Sequence, residues 1–345
     1  MVCKTKQFPL ALGALLVLAM VGCAPAPSQP PESVGPASYT GRVMLYSSMQ
    51  ENQILAIKEG FEQKYPNVTM NYYFAGTAKV ITKIATENQS RRPLADVIWV
   101  GDPSDYVSLK SAGVLAPYIS PQGIHIDEDY LDPDHYYTGA RLVNVGIAYN
   151  TDLVSLRDAP KGWEDLLDPK WKGKIIMTDP GSAGTIKYFV GALMADERYG
   201  EDYFIRLREN GCALESGSAA THQQVATGNY PIGICLDYVT SNLAEAGAPV
   251  TFRYPKKDLV SIYSPLGLVA HCANEQNGKL LYDYILSKEG QEILVKNNLI
   301  SIRDDVKQAD RGMDAIAQRT IQTDLDWIAE NSDEIMSRFD KIFLS

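Results

Sequence analysis

Basic residues are in short supply in this chain. Its 345 residues carry 32 lysines and arginines against 42 aspartates and glutamates, a formal net charge of −10. Nucleic-acid binding needs a basic face to neutralise phosphates, so no nucleic-acid partner is expected. Histidine is scarcer, and His125, His135, His222 and His271 fall without the spacing of a metal site or a nucleophile–base pair. There is no G-x-S-x-G elbow, no H-E-x-x-H, no Walker-type loop and no G-x-G-x-x-G. No enzymatic activity, cofactor or metal is therefore expected. Of the five cysteines, Cys212, Cys235 and Cys272 lie beyond the N-terminal region and lack metal-ligand spacing. An oxidising compartment would permit a Cys212–Cys235 bridge; the alternative is three buried, inert thiols. Beyond the N-terminus no apolar run is long enough to span a bilayer.

The first residues supply an address. Lys4 and Lys6 precede an apolar run from Leu10 to Val21, which ends at Gly22-Cys23. A basic start, a short apolar core and a small residue before the cut make a secretory signal. The run is shorter than the roughly 20 residues of a transmembrane helix. Met20-Val21-Gly22-Cys23 resembles the lipobox of bacterial lipoproteins. That resemblance implies a signal peptide over 1–22 and a mature chain that begins at Cys23 with lipid on its sulfur. The protein would then sit outside the cytoplasm, anchored to the membrane through Cys23. From Ala24 to Thr40 proline, serine, glycine and alanine dominate, and such a stretch reads as a disordered tether over 23–40. Losing Lys4 and Lys6 with the signal takes the net charge to −12.

The rest, from about Gly41, suits two domains. Arg42–Tyr46, Val68–Phe74 and Asp96–Val100 read as strands, alternating with helices over Gln50–Lys64 and Ala78–Glu87. The rhythm restarts with strands at Lys174–Met177, Ala213–Glu215 and Pro231–Leu236 and helices at Ile186–Ala195, around Gln223–Thr227 and from about Thr240. Between the two halves lies Thr138–Asn150, a long β-like run, and after the second comes another, Ser261–Ala270. Chain crossings at both places predict an α/β protein of two lobes with parallel sheets and a hinge. The expected lobes are 41–144 with 265–345, and 145–264, although the last helices, within Thr323–Phe343, could pack on the second. Lys279–Asn298 reads as one amphipathic helix.

Ligands of parallel sheets bind outside the carboxyl ends of the strands. The strand-to-helix turns here are Ser47-Ser48, Gly76-Thr77, Gly101-Asp102, Ser182-Ala183-Gly184-Thr185, Ser216-Gly217-Ser218 and Asp237-Tyr238. Hydroxyls and glycines at helix starts present N–H donors and the positive end of a helix dipole, which suits an oxyanion. The same residue types are also ordinary helix caps, so the inference rests on the set. Ser47, Ser48, Gly76, Thr77, Asp102, Ser182, Gly184, Thr185, Ser216, Asp237 and Tyr238 are the candidate binding residues. His222, near one of these turns, is added as either a ligand contact or a first-turn surface histidine.

Several segments resemble the family 1 extracellular solute-binding proteins of bacterial ABC importers, in the subgroup with ferric-iron, phosphonate, sugar-phosphate and thiamine receptors. They are WEDLLDPKWKGKIIMTDP (163–180), LLYDYILSKEGQEIL (280–294), VMLYSSMQENQILAIKEGFEQKYP (43–66) and GIAYNTDLV (146–154). The resemblance implies a clam-like, type II periplasmic-binding-protein fold, a monomer that closes on one small solute and docks on the transmembrane subunits of a permease. Ferric-iron members carry two adjacent tyrosines after the strand matching Ile232–Leu236, and often a histidine after the first strand. Here Tyr238 is followed by Val239, and Gln50 stands near the histidine position. The expectation is therefore a phosphorylated or phosphonate solute, such as an aminoalkylphosphonate or a sugar phosphate. Asp237 and Asp102 could accept bonds from its ammonium or hydroxyl group, although Asp237 could equally be an N-cap. Ferric iron is the alternative, and a polyamine or thiamine a further one.

Overall fold

The computed structural model describes residue 2, residues 35–308 and residues 317–344. The signal, Cys23 and most of the expected tether lie outside the described residues. The last part of that tether is ordered. Pro36–Ser38 form a short 3-10 turn, Asn67 Nδ2 donates to Ala37 O, and the Tyr39 ring packs edge-on against Tyr65 at 5.8 Å.

The first sheet holds strands β1 (Gly41–Ser47), β2 (Val68–Phe74), β3 (Val97–Trp99), β4 (Leu115–Ala116), β5 (Tyr137–Gly139) and β12 (Pro265–Val269), in the order β2-β1-β3-β12-β4 with β5 on β12. β1 is parallel to β2 and β3, while β12 runs antiparallel to its neighbours. Helices α1 (Glu51–Lys64), α2 (Thr77–Gln89) and α3 (Pro103–Ser111) follow its first three strands. The second sheet holds β6 (Val143–Asn150), β7 (Ile175–Thr178), β8 (Ala213–Glu215), β9 (Ile232–Leu236), β10 (Val250–Arg253) and β11 (Val260–Ile262), ordered β10-β6-β9-β7-β8 with β11 on β6. Its helices are α4 (Gly184–Ala195), α5 (Gly200–Glu209), α6 (Ser218–Ala226) and α7 (Asp237–Glu245). β6 and β9 are buried at every position, as a sheet covered on both faces requires.

Each of the two long β-like runs is two strands that change sheet. Thr138–Asn150 supplies the end of β5 and all of β6, separated by Ala140-Arg141-Leu142. Ser261–Ala270 supplies the end of β11 and all of β12, separated by Tyr263-Ser264. Two lobes thus face each other across a pair of crossing segments. The expected single helix over Lys279–Asn298 is broken into α8 (Glu275–Leu286) and α9 (Lys288–Lys296). Ser287 makes the break, its Oγ bonding to Tyr284 O and accepting from Gly290 N. Both helices pack with α1 on the first lobe. The last helices, α10 (Leu325–Glu330) and α11 (Ser332–Phe343), turn to the second: α11 packs on α4 and α5, with Phe339 edge-on to Phe204 at 5.8 Å. α10 also touches α3 and so spans both lobes. Cys212, Cys235 and Cys272 are free thiols, the first two buried.

Candidate functional site

The strand ends of both lobes meet around a cavity of about 210 Å³. It is small beside the usual 300–1,000 Å³ of ligand pockets, about the scale of a compact solute. Ser48, Gly76 and Thr77 reach it from the first lobe, and Ser182, Gly184, Thr185, Ser218 and Tyr238 from the second. The turns interlock. Thr77 Oγ1 donates to Ser48 Oγ at 3.0 Å and accepts from Gly184 N, the first residue of α4, at 3.2 Å. The two lobes are therefore hydrogen-bonded beside the cavity.

Glycine is needed here because of proximity. A Cβ on Gly76 would lie 2.8 Å from Ser182 O, one on Gly101 2.8 Å from Thr185 Cγ2, and one on Gly184 2.8 Å from Thr77 Oγ1. Each of these contacts crosses between the lobes, so the glycine main chain lies against the Ser182 backbone and the Thr77 and Thr185 side chains, where any other residue would intrude.

Five expected site residues do not line the cavity. Ser47 is fully buried, with its Oγ donating to Trp99 O at 2.8 Å and accepting from Met49 N, so it ties β1 to β3. Ser216 is exposed beyond the rim, and Ser218 takes its place. Asp237 is buried beneath the cavity. It accepts from Asn144 N, Asn144 Nδ2, Tyr238 N and Tyr254 OH, which pin α7 to β6. Asp102 is the N-cap of α3, accepting from Ser104 N and Oγ, while its other oxygen is 3.0 Å from Lys187 Nζ.

His222 is likewise corrected. It is 2% exposed; Nε2 accepts from Leu236 N at 2.9 Å and Nδ1 bonds to Ser218 O at 2.6 Å. These bonds define the neutral Nδ1–H tautomer, and burial lowers its pKa. The ring fastens α6 to the end of β9, with neither nitrogen left for a solute.

The residue that the turns did not reveal is Arg141. It lies in the crossing between β5 and β6, 3% exposed, and it lines the cavity. Nη1 donates to Gln53 Oε1 at 3.0 Å, and Cζ stands 5.6 Å from the Trp99 ring and 5.5 Å from that of Tyr238. Its Nε is buried without a hydrogen bond, and among the described residues it forms no ion pair. Burial lowers its pKa, but an arginine stays charged in any protein environment. The Tyr238 phenol, raised by burial, is partly held back by this guanidinium. The sequence signal was a lone cation inside the apolar run that carries the crossing. Gln50 and Phe74 also line the cavity; neither had been named as a site residue.

Beside the cavity, Lys187 of α4 forms ion pairs with Asp102 and Asp105 of the first lobe. In a different pocket, His125, Asp304 and Asp305 bring ligand atoms within 4.8 Å of one another, but Asp304 is exposed and Asp305 already pairs with Arg303.

Two α/β lobes enclose a small cavity at the ends of their strands, an arrangement that suits the capture of a compact solute. Residues 92–323 match the bacterial extracellular solute-binding protein family, and the chain belongs to that family. It is similar to a Salmonella typhimurium protein provisionally named a 2-aminoethylphosphonate-binding periplasmic protein, with 26% identity over 72% of this chain and 73% of the relative. It is also similar to the Fe(3+)-binding periplasmic protein of Serratia marcescens, with 23% identity over 76% of this chain and 78% of that one. The solved periplasmic binding protein AfuA of Actinobacillus pleuropneumoniae, with fructose-6-phosphate bound, superposes with a TM-score of 0.80. It shares 25% identity, over 89% of this chain and 99% of that chain. The protein is thus the solute-binding component of an ABC importer, in the group that contains ferric-iron, phosphonate and sugar-phosphate receptors. No described helix is long and apolar enough to cross a membrane.

Proposed function

We propose that this protein captures a small solute carrying a phosphate or phosphonate group and delivers it to the transmembrane subunits of its permease. The observation that carries this reading is Arg141. A buried guanidinium without a carboxylate partner is costly unless an anion completes it. The first turns of α4 and α6 flank the same cavity and add N–H groups and the positive ends of their dipoles, with hydroxyls from Ser48, Thr185 and Ser218. Such a set suits a tetrahedral oxyanion. The same charge opposes ferric iron, because Tyr238 is a single phenol beside a cation and Val239 offers no second. It opposes a polyamine for the same reason.

Binding draws the lobes together, and the closed form is what the permease reads. In this reading Cys23 carries lipid, and the chain works as a monomer tethered outside the membrane, where effective concentration assists docking. Thermal-shift measurements test the ligand class. Fructose-6-phosphate and short phosphonates are expected to raise the melting temperature by several degrees, and ferric salts to leave it unchanged. A shift with ferric salts alone, accompanied by a visible charge-transfer colour, would overturn the reading.

A further inference from the structure

The anion is only one end of an organic solute, and the cavity also constrains the other. Its wall contains one formal charge, that of Arg141, and no carboxylate. Acids next to lining residues in the chain are committed elsewhere. Asp237 accepts four hydrogen bonds from Asn144, Tyr238 and Tyr254. Asp102 is shared between Ser104 and Lys187, and Asp105 is paired with Lys187. None of the three lines the cavity. What remains around Arg141 is neutral: the Gln50 amide, the Ser48 and Ser218 hydroxyls, and the apolar faces of Phe74 and Leu236.

We infer that the receptor selects a phosphate or phosphonate whose remaining part is small, uncharged and hydroxyl-bearing, and discriminates against one carrying an ammonium group. This rests on the phosphate or phosphonate reading above and narrows it. An ammonium enclosed here would lose its hydration and find amide and hydroxyl dipoles in place of a counter-charge. It would also share a volume of about 210 Å³ with the guanidinium. A hydroxyl in the same place donates to or accepts from those groups without a desolvated charge. The inference separates this chain from what the Salmonella relative is named for, since an aminoalkylphosphonate is a zwitterion.

Isothermal titration with two phosphonates of equal length tests it: 2-hydroxyethylphosphonate and 2-aminoethylphosphonate. The hydroxy compound is expected to bind at least about tenfold more tightly, the scale of one uncompensated buried charge. Gln50→Glu, which places a carboxylate on the cavity wall, is expected to narrow or reverse that ratio. Equal affinities, or tighter binding of the amino compound by the wild-type protein, would overturn the inference and leave the phosphate or phosphonate reading standing. If neither phosphonate binds and fructose-6-phosphate also fails, the parent reading falls and this one with it.

Discussion

Burying an arginine without a carboxylate is an unfavourable arrangement for a free protein. Arg141 is held by a hydrogen bond to Gln53, by Tyr238, and by the Trp99 and Tyr238 faces, with a longer-range attraction from Asp237, which recover part of the lost hydration. A folding-only role would be better filled by an apolar side chain. Arg141→Met is therefore expected to leave the ligand-free melting temperature unchanged or higher. It should weaken phosphate binding by about 2–4 kcal/mol, roughly 30- to 1,000-fold, the range for losing one member of a buried charged pair. Calorimetry and thermal melts of the same preparation read both quantities. A large fall in the ligand-free melting temperature would assign Arg141 to the core instead. Asp237 and His222 illustrate the opposite case at this scale. Both are chemically plausible contacts by residue type and position, yet their hydrogen-bonding capacity is absorbed by the backbone ends they fasten.

Between elements, the contact of α4 with α3 carries a charge imbalance: Lys187 faces both Asp102 and Asp105. Burial, and then the Asp102 carboxylate, raise Asp105 from 3.8 to about 7, against the pull of Lys187. The sign follows directly. Between about pH 4 and 7 the folded chain holds a proton that the unfolded chain has released, so this group lowers stability as pH rises through that window. Asp105→Asn leaves one carboxylate for one ammonium. It is expected to raise stability at pH 8 by about 1–3 kcal/mol, with the gain vanishing near pH 4. Melting curves across that range check it, and a pH-independent difference would contradict it. Element boundaries were legible where side-chain period and caps agree: β2 and β8 match the sequence reading residue for residue, and β3 differs only at its ends. The breaks were not. One apolar run cannot reveal that its two halves pair in different sheets, because that is set by partners distant in the chain. Nor does helical spacing across Ser287 show the cap that divides α8 from α9. At the cavity, some of the strand-end turns read from the sequence form part of the wall, while Arg141 sits on a crossing, where no turn points to it.

For the whole molecule, the lobes meet where three glycines bring main chain close to the opposite lobe. Gly184→Val is expected to prop them apart, because its Cβ starts 2.8 Å from Thr77 Oγ1 and the branched methyl groups extend further. Small-angle scattering should then give a larger radius of gyration than the wild-type closed form, with no compaction on adding ligand. Equal radii with ligand would show that the seam tolerates the bulk. A thermal melt of the same variant checks that it is folded, since Gly184 is buried at the start of α4.

The glycine seam has a consequence for how such a receptor can diversify. Gly76, Gly101 and Gly184 fix how closely the lobes approach beside the cavity rather than within it, so the outline they set would be largely independent of what fills the 210 Å³ inside. Residues such as Gln50, Phe74 and Ser218 can change the cargo without altering that outline. A transporter fitted to one silhouette can thus be served by receptors of different chemistry, provided that the three glycines stay.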